Sequence, residues 1–197
     1  MTIKITKPDY WVTVGNAYFK DETMTDTQGV STIKKVGIQD EESEAKIYGS
    51  GNLYAVLSQH SSTTISIDAI EIPRDWINRF LGHEMKNGFS AQNNNDRAVE
   101  FAFGYTIRYS NGEAIYRWYP RCQLSSPSDE IESSTDSPSD PSHAYQVIAM
   151  PTDDGTIRVE YDGNSEQAKS KKVTEEDFFK QVIKSINDPI VSAIAGA

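Results

Sequence analysis

The sequence feature that most constrains the fold is a pair of aromatic strands joined by a tight turn. Large apolar residues alternate with small or polar ones over residues 99–109, which is typical of a strand with one buried face. Asn111 and Gly112 follow, and both residue types tolerate the positive φ values of a type I′ turn. Residues 114–122 continue the alternation, so the sequence predicts a central β-hairpin. The residues expected on one face of its first strand are Phe101, Phe103, Tyr105 and Ile107.

Shorter strand patterns lie on both sides of this hairpin. They cover residues 10–20, 32–38, 45–48, 52–59 and 62–72 before it, and residues 145–150 and 156–161 after it. Within 62–72, Ile65, Ile67 and Ala69 alternate with other residues, which indicates a half-buried strand. An Asp-Asp-Gly turn ending at Gly155 is expected to pair the last two strands as a second hairpin. Together these patterns predict a mainly β (α+β) protein.

Two segments have helical periodicity instead. Residues 73–82 predict a short helix, with Pro73 in its first turn and Gly82 at its C-terminal cap. A second helix is expected to begin at Thr174, which starts a capping-box-like sequence, and to stop before Pro189. The apolar stripe of the first helix consists of Trp76, Ile77, Phe80 and Leu81, and that of the second of Phe178, Phe179, Val182, Ile183 and Ile186.

Polar segments interrupt these elements. Hydrophobic residues make up 37% of the 197 residues, and the shortfall from a usual globular domain is concentrated in a few stretches. We expect polar arms at about residues 21–30 and 39–61, with the acidic run from Asp40 to Glu44 as a solvated turn. Residues 123–142 have the composition of a linker, or of an extended edge segment with a loop. The predicted organisation is a β domain over residues 1–162 and a C-terminal helical extension over residues 163–197.

Charge and cysteine content exclude several classes of function. The chain carries 19 basic and 29 acidic residues, a net charge of −10, so the basic surface of a tight nucleic-acid binder is missing. Its single cysteine, Cys122, cannot form an internal disulfide or a metal site, which fits assembly in a reducing cytoplasm. We expect neither a secretion signal nor a membrane span, because no apolar run approaches about 20 residues.

A search for catalytic residues finds no motif. The three histidines, His60, His83 and His143, have no second ligand or base nearby in the sequence. Glu71 and Asp75 flank the strand–helix junction, but carboxylates at strand ends are common. No Gly-x-Ser-x-Gly elbow or phosphate-binding loop occurs. We therefore predict no catalytic residues, no metal site and no cofactor.

The three tryptophans need an interpretation as well. Trp11, Trp76 and Trp118 lie in a strand, a helix and a strand pattern, where packing in the core is the expected role. The alternative is a platform on which sugar rings stack, which would make the protein a carbohydrate- or receptor-binding module.

The order of these features resembles a known family. A strand around Ile65 to Ala69 leads into Ile72-Pro-Arg-Asp-Trp-Ile and on to Phe80-Leu-Gly-His83, and Ala98-Val-Glu-Phe-Ala-Phe-Gly-Tyr105 opens the hairpin. The hairpin returns through Tyr116-Arg-Trp-Tyr-Pro-Arg-Cys122. Over residues 8–162 this pattern is similar to the major tail proteins, or tail-tube proteins, of long-tailed siphovirus bacteriophages that infect Gram-positive bacteria.

The resemblance implies a structural virion protein and no enzyme. Members of that family fold as two packed β-sheets in a sandwich or barrel with a flanking helix. They form hexameric rings that stack into a tail tube, assembled in the host cytoplasm, through which DNA passes at infection. The implied partners are further copies of the chain, the tape measure protein and the tail terminator, with genomic DNA only in transit and no membrane. The strands expected to line the lumen cover residues 62–72 and 99–109.

Two other functions remain open from the residues alone. A saccharide-binding module predicts a pocket with exposed aromatic residues. A hydrolase with a dispersed active site predicts a concave site lined by histidines or carboxylates with shifted pKa values.

Overall fold

The structure is a computed structural model that describes residues 9–125, 127, 142–170 and 172–196. Most of the predicted polar stretch at 123–142 lies outside the described residues. The described part is mainly β, which confirms the predicted fold class. Its strands are β1 (Trp11–Asp21), β2 (Gln28–Val30), β3 (Ile33–Gly49), β4 (Asn52–Ala69), β5 (Glu84–Lys86), β6 (Phe89–Ala91), β7 (Phe101–Tyr109), β8 (Ala114–Leu124), β9 (His143–Ala149) and β10 (Val159–Asp162). Its helices are α1 (Arg74–Phe80), α2 (Glu166–Ser170), α3 (Glu175–Phe179) and α4 (Pro189–Gly196).

One large antiparallel sheet organises the fold. Its strands follow the order β2-β1-β7-β8-β9-β4-β3, and β10 pairs with β8 beyond the end of β9. The strands β5 and β6 form a small second sheet. The large sheet curves around one apolar core, to which β1, β3, β4, β7, β8 and β9 all contribute. Because of this curvature β3 comes back close to β1, and the sheet takes a barrel-like form.

The central hairpin is confirmed, but its turn differs from the prediction. Only Gly112 has a positive φ, of 88°, and its N–H donates to the carbonyl of Tyr109 at 3.1 Å. Since Tyr109 also bonds to Glu113, the loop has three residues and one left-handed glycine, as in a hairpin with a G1 bulge. Two-residue turns with positive φ at both positions lie instead at Ser50 (50°) and Gly51 (82°), between β3 and β4, and at Asn87 (51°) and Gly88 (82°), between β5 and β6.

The predicted helix after β4 is also confirmed, and it closes one end of the core. Phe80 of α1 is fully buried and stacks on Phe101 with ring centroids 4.1 Å apart. Trp76 packs against Phe19 at 6.0 Å. The helix therefore packs its aromatic residues onto the same core to which the central hairpin contributes.

The polar segment at residues 21–30, for which an arm is predicted, lies against the sheet. These residues form a short turn that leads into β2, which pairs with β1. Asp21 is buried, and its Oδ1 accepts hydrogen bonds from the backbone N–H groups of Thr23 at 2.7 Å and Met24 at 2.9 Å. The side chain thereby holds the tight turn that the sequence pattern did not reveal.

The second predicted hairpin is wrong as well. The turn at Gly155 forms, but β10 pairs with β8 and not with β9. The end of β9 that leads into the turn is paired with β4 on one edge and with the end of β8 on the other. It therefore has no free edge with which β10 could pair.

The C-terminal helix was predicted too long. The Thr174 cap is confirmed, since its Oγ1 accepts a bond from the Asp177 N–H at 3.2 Å, but α3 ends at Phe179. The indole N–H of Trp118 donates to the Phe178 carbonyl at 3.2 Å and takes the acceptor that a longer helix would use. Pro189 begins α4 instead of ending a helix, in the position where proline is favoured.

Residues 172–196, called here the C-terminal segment, cover the outer face of the large sheet. Phe178, Phe179 and Ile183 are buried there against Trp118. Phe179 stacks on Tyr18 at 3.9 Å. The Phe179 ring fits there because the residue of β7 beneath it is a glycine. A Cβ atom on Gly104 would lie 2.7 Å from that ring. The division of the chain at residue 162 stays a prediction.

One carboxylate ties this segment to the sheet. Oε1 of Glu175 accepts hydrogen bonds from the Tyr18 hydroxyl at 2.8 Å, the Thr106 hydroxyl at 3.0 Å and the Asn16 amide at 3.2 Å. Its Oε2 lies 3.2 Å from a guanidinium nitrogen of Arg108. Burial raises the pKa of Tyr18 to about 12, so its hydroxyl stays a donor at neutral pH.

Candidate assembly surface

A long β-hairpin leaves the sheet at the end of β4 that is not paired with β9. The pairing of β4 with β9 begins at Thr63, and residues 52–62 of β4 are matched with residues 41–49 of β3. Among the described residues this part of the hairpin has no third strand. It is called the arm below, and at about 3.3 Å per residue it is roughly 30 Å long. The arm predicted at about residues 39–61 corresponds to this hairpin.

The arm presents apolar side chains to solvent. The exposed fraction reaches 82% for Tyr54 and 65% for Tyr48. Four further residues are between 44% and 59% exposed: Ile47, Leu53, Val56 and Leu57. An isolated two-stranded hairpin is marginally stable, and clustered exposed apolar residues usually mark an interaction site. The arm therefore has the composition of a contact element.

The acidic run predicted as a turn lies within the arm and at its base. Asp40, Glu41, Glu42 and Glu44 belong to β3, and the residues opposite them in β4 are Thr63, Ser62, His60 and Ser58. The turn prediction is wrong, because these acidic residues lie in an extended strand. Alternate side chains of the strand project to opposite faces of the hairpin, and both faces are in contact with solvent. The result is a strand with a row of carboxylates whose cross-strand neighbours carry no fixed positive charge.

His60 lies at the base of the arm, next to a β-bulge. Its Nε2 is 3.1 Å from the hydroxyl of Thr63 and 3.5 Å from Asp40, and the Thr63 hydroxyl donates to Asp40 at 2.7 Å. The register shifts here between Glu41 and Glu42. Asp40 and Thr63 both face the same ring nitrogen, so the imidazole does not stand between acid and hydroxyl as in a catalytic triad.

The other two histidines share a small cleft. His83 and His143 line a cavity of about 200 Å³ together with Glu71, whereas Asp75 is not part of it. His83 contacts the side-chain oxygen of Asn78 at 3.2 Å and lies 3.9 Å from Asp96. Within the described residues no group of three histidine, cysteine or acidic side chains has the arrangement of a metal site.

The tryptophans lie in three different places. Trp118 is fully buried on the outer face and Trp76 packs against the main core, as predicted. Trp11 is 59% exposed, so the core role expected for it is wrong. It lies near the start of β1, where that strand runs along the edge of the sheet. Cys122 is buried, and burial raises the pKa of its thiol.

A cleft of about 390 Å³ follows the line where β1 and β3 approach each other, and it is called the seam. Trp11, Val14, Val36, Ile38 and Ile107 form its apolar lining. The guanidinium of Arg117 lies 5.6 Å from the Trp11 ring, pairs with Glu160 and donates to the Tyr105 hydroxyl at 3.0 Å. Arg158 lines the seam and also, with Asp40, a small cleft at the base of the arm.

Sequence reasoning missed the apolar surface of the arm. Residues 52–57 were correctly predicted as a strand, but alternation alone does not show whether a strand has a core on either side. The available signal was the absence of polar alternation at Leu53, Tyr54, Val56 and Leu57 within a segment otherwise rich in serine and acid.

Comparison with known proteins finds similarity among solved structures. No family model matches the chain, and no curated protein matches it. Among solved structures, the chain is similar to the anti-feeding prophage cap, a tube terminating cap, with 11% sequence identity and a TM-score of 0.44. The match covers 82% of this chain and 96% of the cap chain. Across the described residues, every helix is too short or too polar to cross a membrane.

Proposed function

We propose that the protein is a non-enzymatic structural subunit of a bacteriophage tail tube, which assembles with further copies of itself. The observation that carries this proposal is the arm, whose two strands extend beyond the folded sheet with six large apolar residues exposed. Burying such a side chain is worth about 1.5–3 kcal/mol, and the arm gains this only when another molecule covers it.

The shape of the sheet supports a subunit that joins its neighbours edge to edge. The strand β3 is the last in the sheet, and β2 covers only residues 17–19 of β1 on the other side. Long edge strands are a liability for a monomer, because their backbone groups can pair with another chain. In a closed ring each such edge meets the next subunit, which removes the liability.

The sequence resemblance supplies the finer part of the proposal. It points to hexameric rings stacked into the tube of a siphovirus, with the tape measure protein inside and the terminator protein at the end. The negative charge of the chain suits a conduit for DNA, because an acidic wall does not retain phosphate. The protein would then reside in the tail of the virion after assembly in the host cytoplasm.

Negative-stain electron microscopy of the purified protein at increasing concentration tests this proposal. We expect tubes or six-fold rings from the natural sequence. The variant Leu57→Asp should prevent them, because it places a charge on the apolar surface of the arm. The variant Gln59→Asp is the matched control and should still assemble, since it adds the same charge at a polar position that lies opposite Ser43.

Two results would contradict the proposal. One is a protein that stays monomeric at high concentration and binds glycans through Tyr10 and Trp11, both more than half exposed. Such binding would support the saccharide-binding module instead. The other is equal assembly by both arm variants, which would show that the apolar residues of the arm are not a contact.

A further inference from the structure

Asparagine followed by glycine occurs twice in this chain, at Asn87-Gly88 and at Asn111-Gly112, and each pair lies in a hairpin turn. The pair is chemically reactive, because the backbone nitrogen of the glycine can attack the side-chain amide of the asparagine. Glycine has no side chain to hinder that approach. Since the reacting pair is the same at both sites, the surroundings that the fold provides decide how fast each one reacts.

The fold holds the side chain of Asn111 at both of its polar atoms. Its Nδ2 donates to the carboxylate of Asp9 and to the side-chain oxygen of Asn164, each at 3.0 Å. Its Oδ1 accepts a hydrogen bond from the backbone N–H of Glu113, also at 3.0 Å. The attack requires the side-chain amide of Asn111 to turn toward the next backbone nitrogen, and all three bonds oppose that rotation.

The attacking nitrogen of this site is engaged as well. The Gly112 N–H donates to the carbonyl of Tyr109 at 3.1 Å. The strands β7 and β8 are each paired along both edges, and they carry buried aromatic residues of the core. Opening of this turn therefore disrupts the large sheet, at a cost close to that of global unfolding.

The turn at Asn87 and Gly88 lacks these restraints. Within the part of the chain that the structure describes, neither the side chain of Asn87 nor the N–H of Gly88 takes part in a hydrogen bond. The strands β5 and β6 are only three residues long, and all six of their residues are exposed. Among the described residues they have no third strand, and a two-stranded hairpin of this size is marginally stable in water.

The reaction at Asn87 depends on opening of this hairpin. With φ values of 51° at Asn87 and 82° at Gly88, the closed turn has the two left-handed residues of a type I′ hairpin. In that conformation the Gly88 nitrogen points away from the side chain of Asn87, so the backbone must rotate before the two groups can meet. Because β5 and β6 separate at little cost, open conformations that allow this rotation are populated.

We propose that Asn87 is a site of spontaneous deamidation, whereas the fold protects Asn111. The Gly88 nitrogen forms a bond to Cγ of Asn87, and the bond from Cγ to Nδ2 breaks. Nδ2 leaves as ammonia and takes up the proton that the Gly88 nitrogen loses. Water then opens the succinimide ring. Addition at Cγ gives aspartate, and addition at the backbone carbonyl carbon gives isoaspartate. This inference does not depend on the proposed function.

The modification changes the exposed end of the β5–β6 hairpin. Either product adds a negative charge at residue 87, next to Lys86. Isoaspartate also adds one carbon atom to the main chain, which a two-residue turn cannot accommodate while Lys86 stays paired with Phe89. Deamidation therefore alters both charge and strand register on a surface where Phe89 is 80% exposed.

Peptide mass spectrometry of the full chain after incubation in mildly alkaline buffer tests the proposal. In the folded protein Asn87 should be converted at least about tenfold faster than Asn111, because only its turn opens locally. In urea the two rates should differ by less than about threefold, since neither turn is then held.

Three outcomes would overturn the proposal. The first is equal conversion of Asn87 and Asn111 in the folded protein, or faster conversion of Asn111. The second is no conversion of Asn87 in the folded protein under conditions in which the urea-unfolded chain reacts. The third is a tenfold difference that persists in urea, which would show that the fold is not its cause.

A disulfide across the hairpin separates the effect of opening from that of the local sequence. Met85 and Ser90 lie directly opposite each other, so the double variant Met85→Cys/Ser90→Cys can be compared in its oxidised and reduced forms. Oxidation should slow the conversion of Asn87 at least about fivefold, because the cross-link keeps β5 and β6 together. Asn111 is the internal reference and should not change, and the buried Cys122 stays out of the reaction. Equal rates in the two forms would overturn the role of opening.

Discussion

The arm and the C-terminal segment are both additions to the same curved sheet, yet their apolar residues have opposite fates. In the C-terminal segment Phe178, Phe179 and Ile183 are buried against the outer face of the sheet. In the arm, Tyr48 and Tyr54 are mostly exposed. The same sheet therefore buries the apolar residues of one added segment and does not bury those of the other. The fold covers one addition by itself and leaves the apolar residues of the other exposed.

The strongest test of this contrast is Phe179→Ala. It empties the space above Gly104 and removes the stacking on Tyr18, so the free energy of unfolding should fall by about 3–5 kcal/mol. Chemical denaturation followed by tryptophan fluorescence measures this. A loss below about 1 kcal/mol would mean that the C-terminal segment is only loosely attached.

Removing the charge of Glu175 should have the next largest effect. Glu175→Gln keeps the shape but weakens the acceptor that Tyr18, Thr106 and Asn16 share, at a cost of about 1.5–3 kcal/mol. Denaturation curves of the variant and of Glu176→Gln, its neighbour in α3, provide the comparison. Equal stability of the two variants would show that the bonds to Glu175 contribute nothing net.

Alkaline pH should weaken the attachment of the C-terminal segment through Tyr18. Tyr18 has a folded-state pKa of about 12 against an ordinary 10, mainly because of burial. The stabilising contribution of its protonated form is complete below pH 10 and is lost as the pH rises toward 12. Tyr18→Phe should therefore make stability less dependent on pH between 10 and 12, as thermal unfolding at several pH values will show. An unchanged slope would exclude Tyr18 as the titrating group.

The variant with the smallest expected effect on folding should have the largest effect on assembly. Tyr54→Ser should change the free energy of unfolding by no more than about 0.5 kcal/mol, because its side chain is 82% exposed. Sedimentation velocity should show that the same variant no longer forms large particles. A clear loss of stability would place Tyr54 within the fold of its own chain and remove the contrast between the two regions.

The sequence was sufficient where local chemistry decides structure. Alternation predicted β7 and β8, and Pro73 with Gly82 bounded α1 within about two residues. The sequence did not predict the structure where a residue or strand far away in the chain determines it. The Trp118 indole ends α3 by bonding the Phe178 carbonyl, and the neighbours of β9 prevent its pairing with β10. The arm was located approximately, but its exposure became visible only once the end of β9 was known.

The row of carboxylates along β3 has a consequence for the timing of assembly. Two approaching copies repel each other through their net charges of −10, and this repulsion acts beyond about 10 Å when the salt concentration is below 0.1 M. Burial of the exposed apolar residues of the arm acts only at contact. Salt should therefore accelerate the first encounters of copies without weakening an apolar contact once it has formed. Dilute low-salt solutions would then store the protein as a kinetically protected, assembly-competent monomer, and light scattering after a salt jump would measure its release.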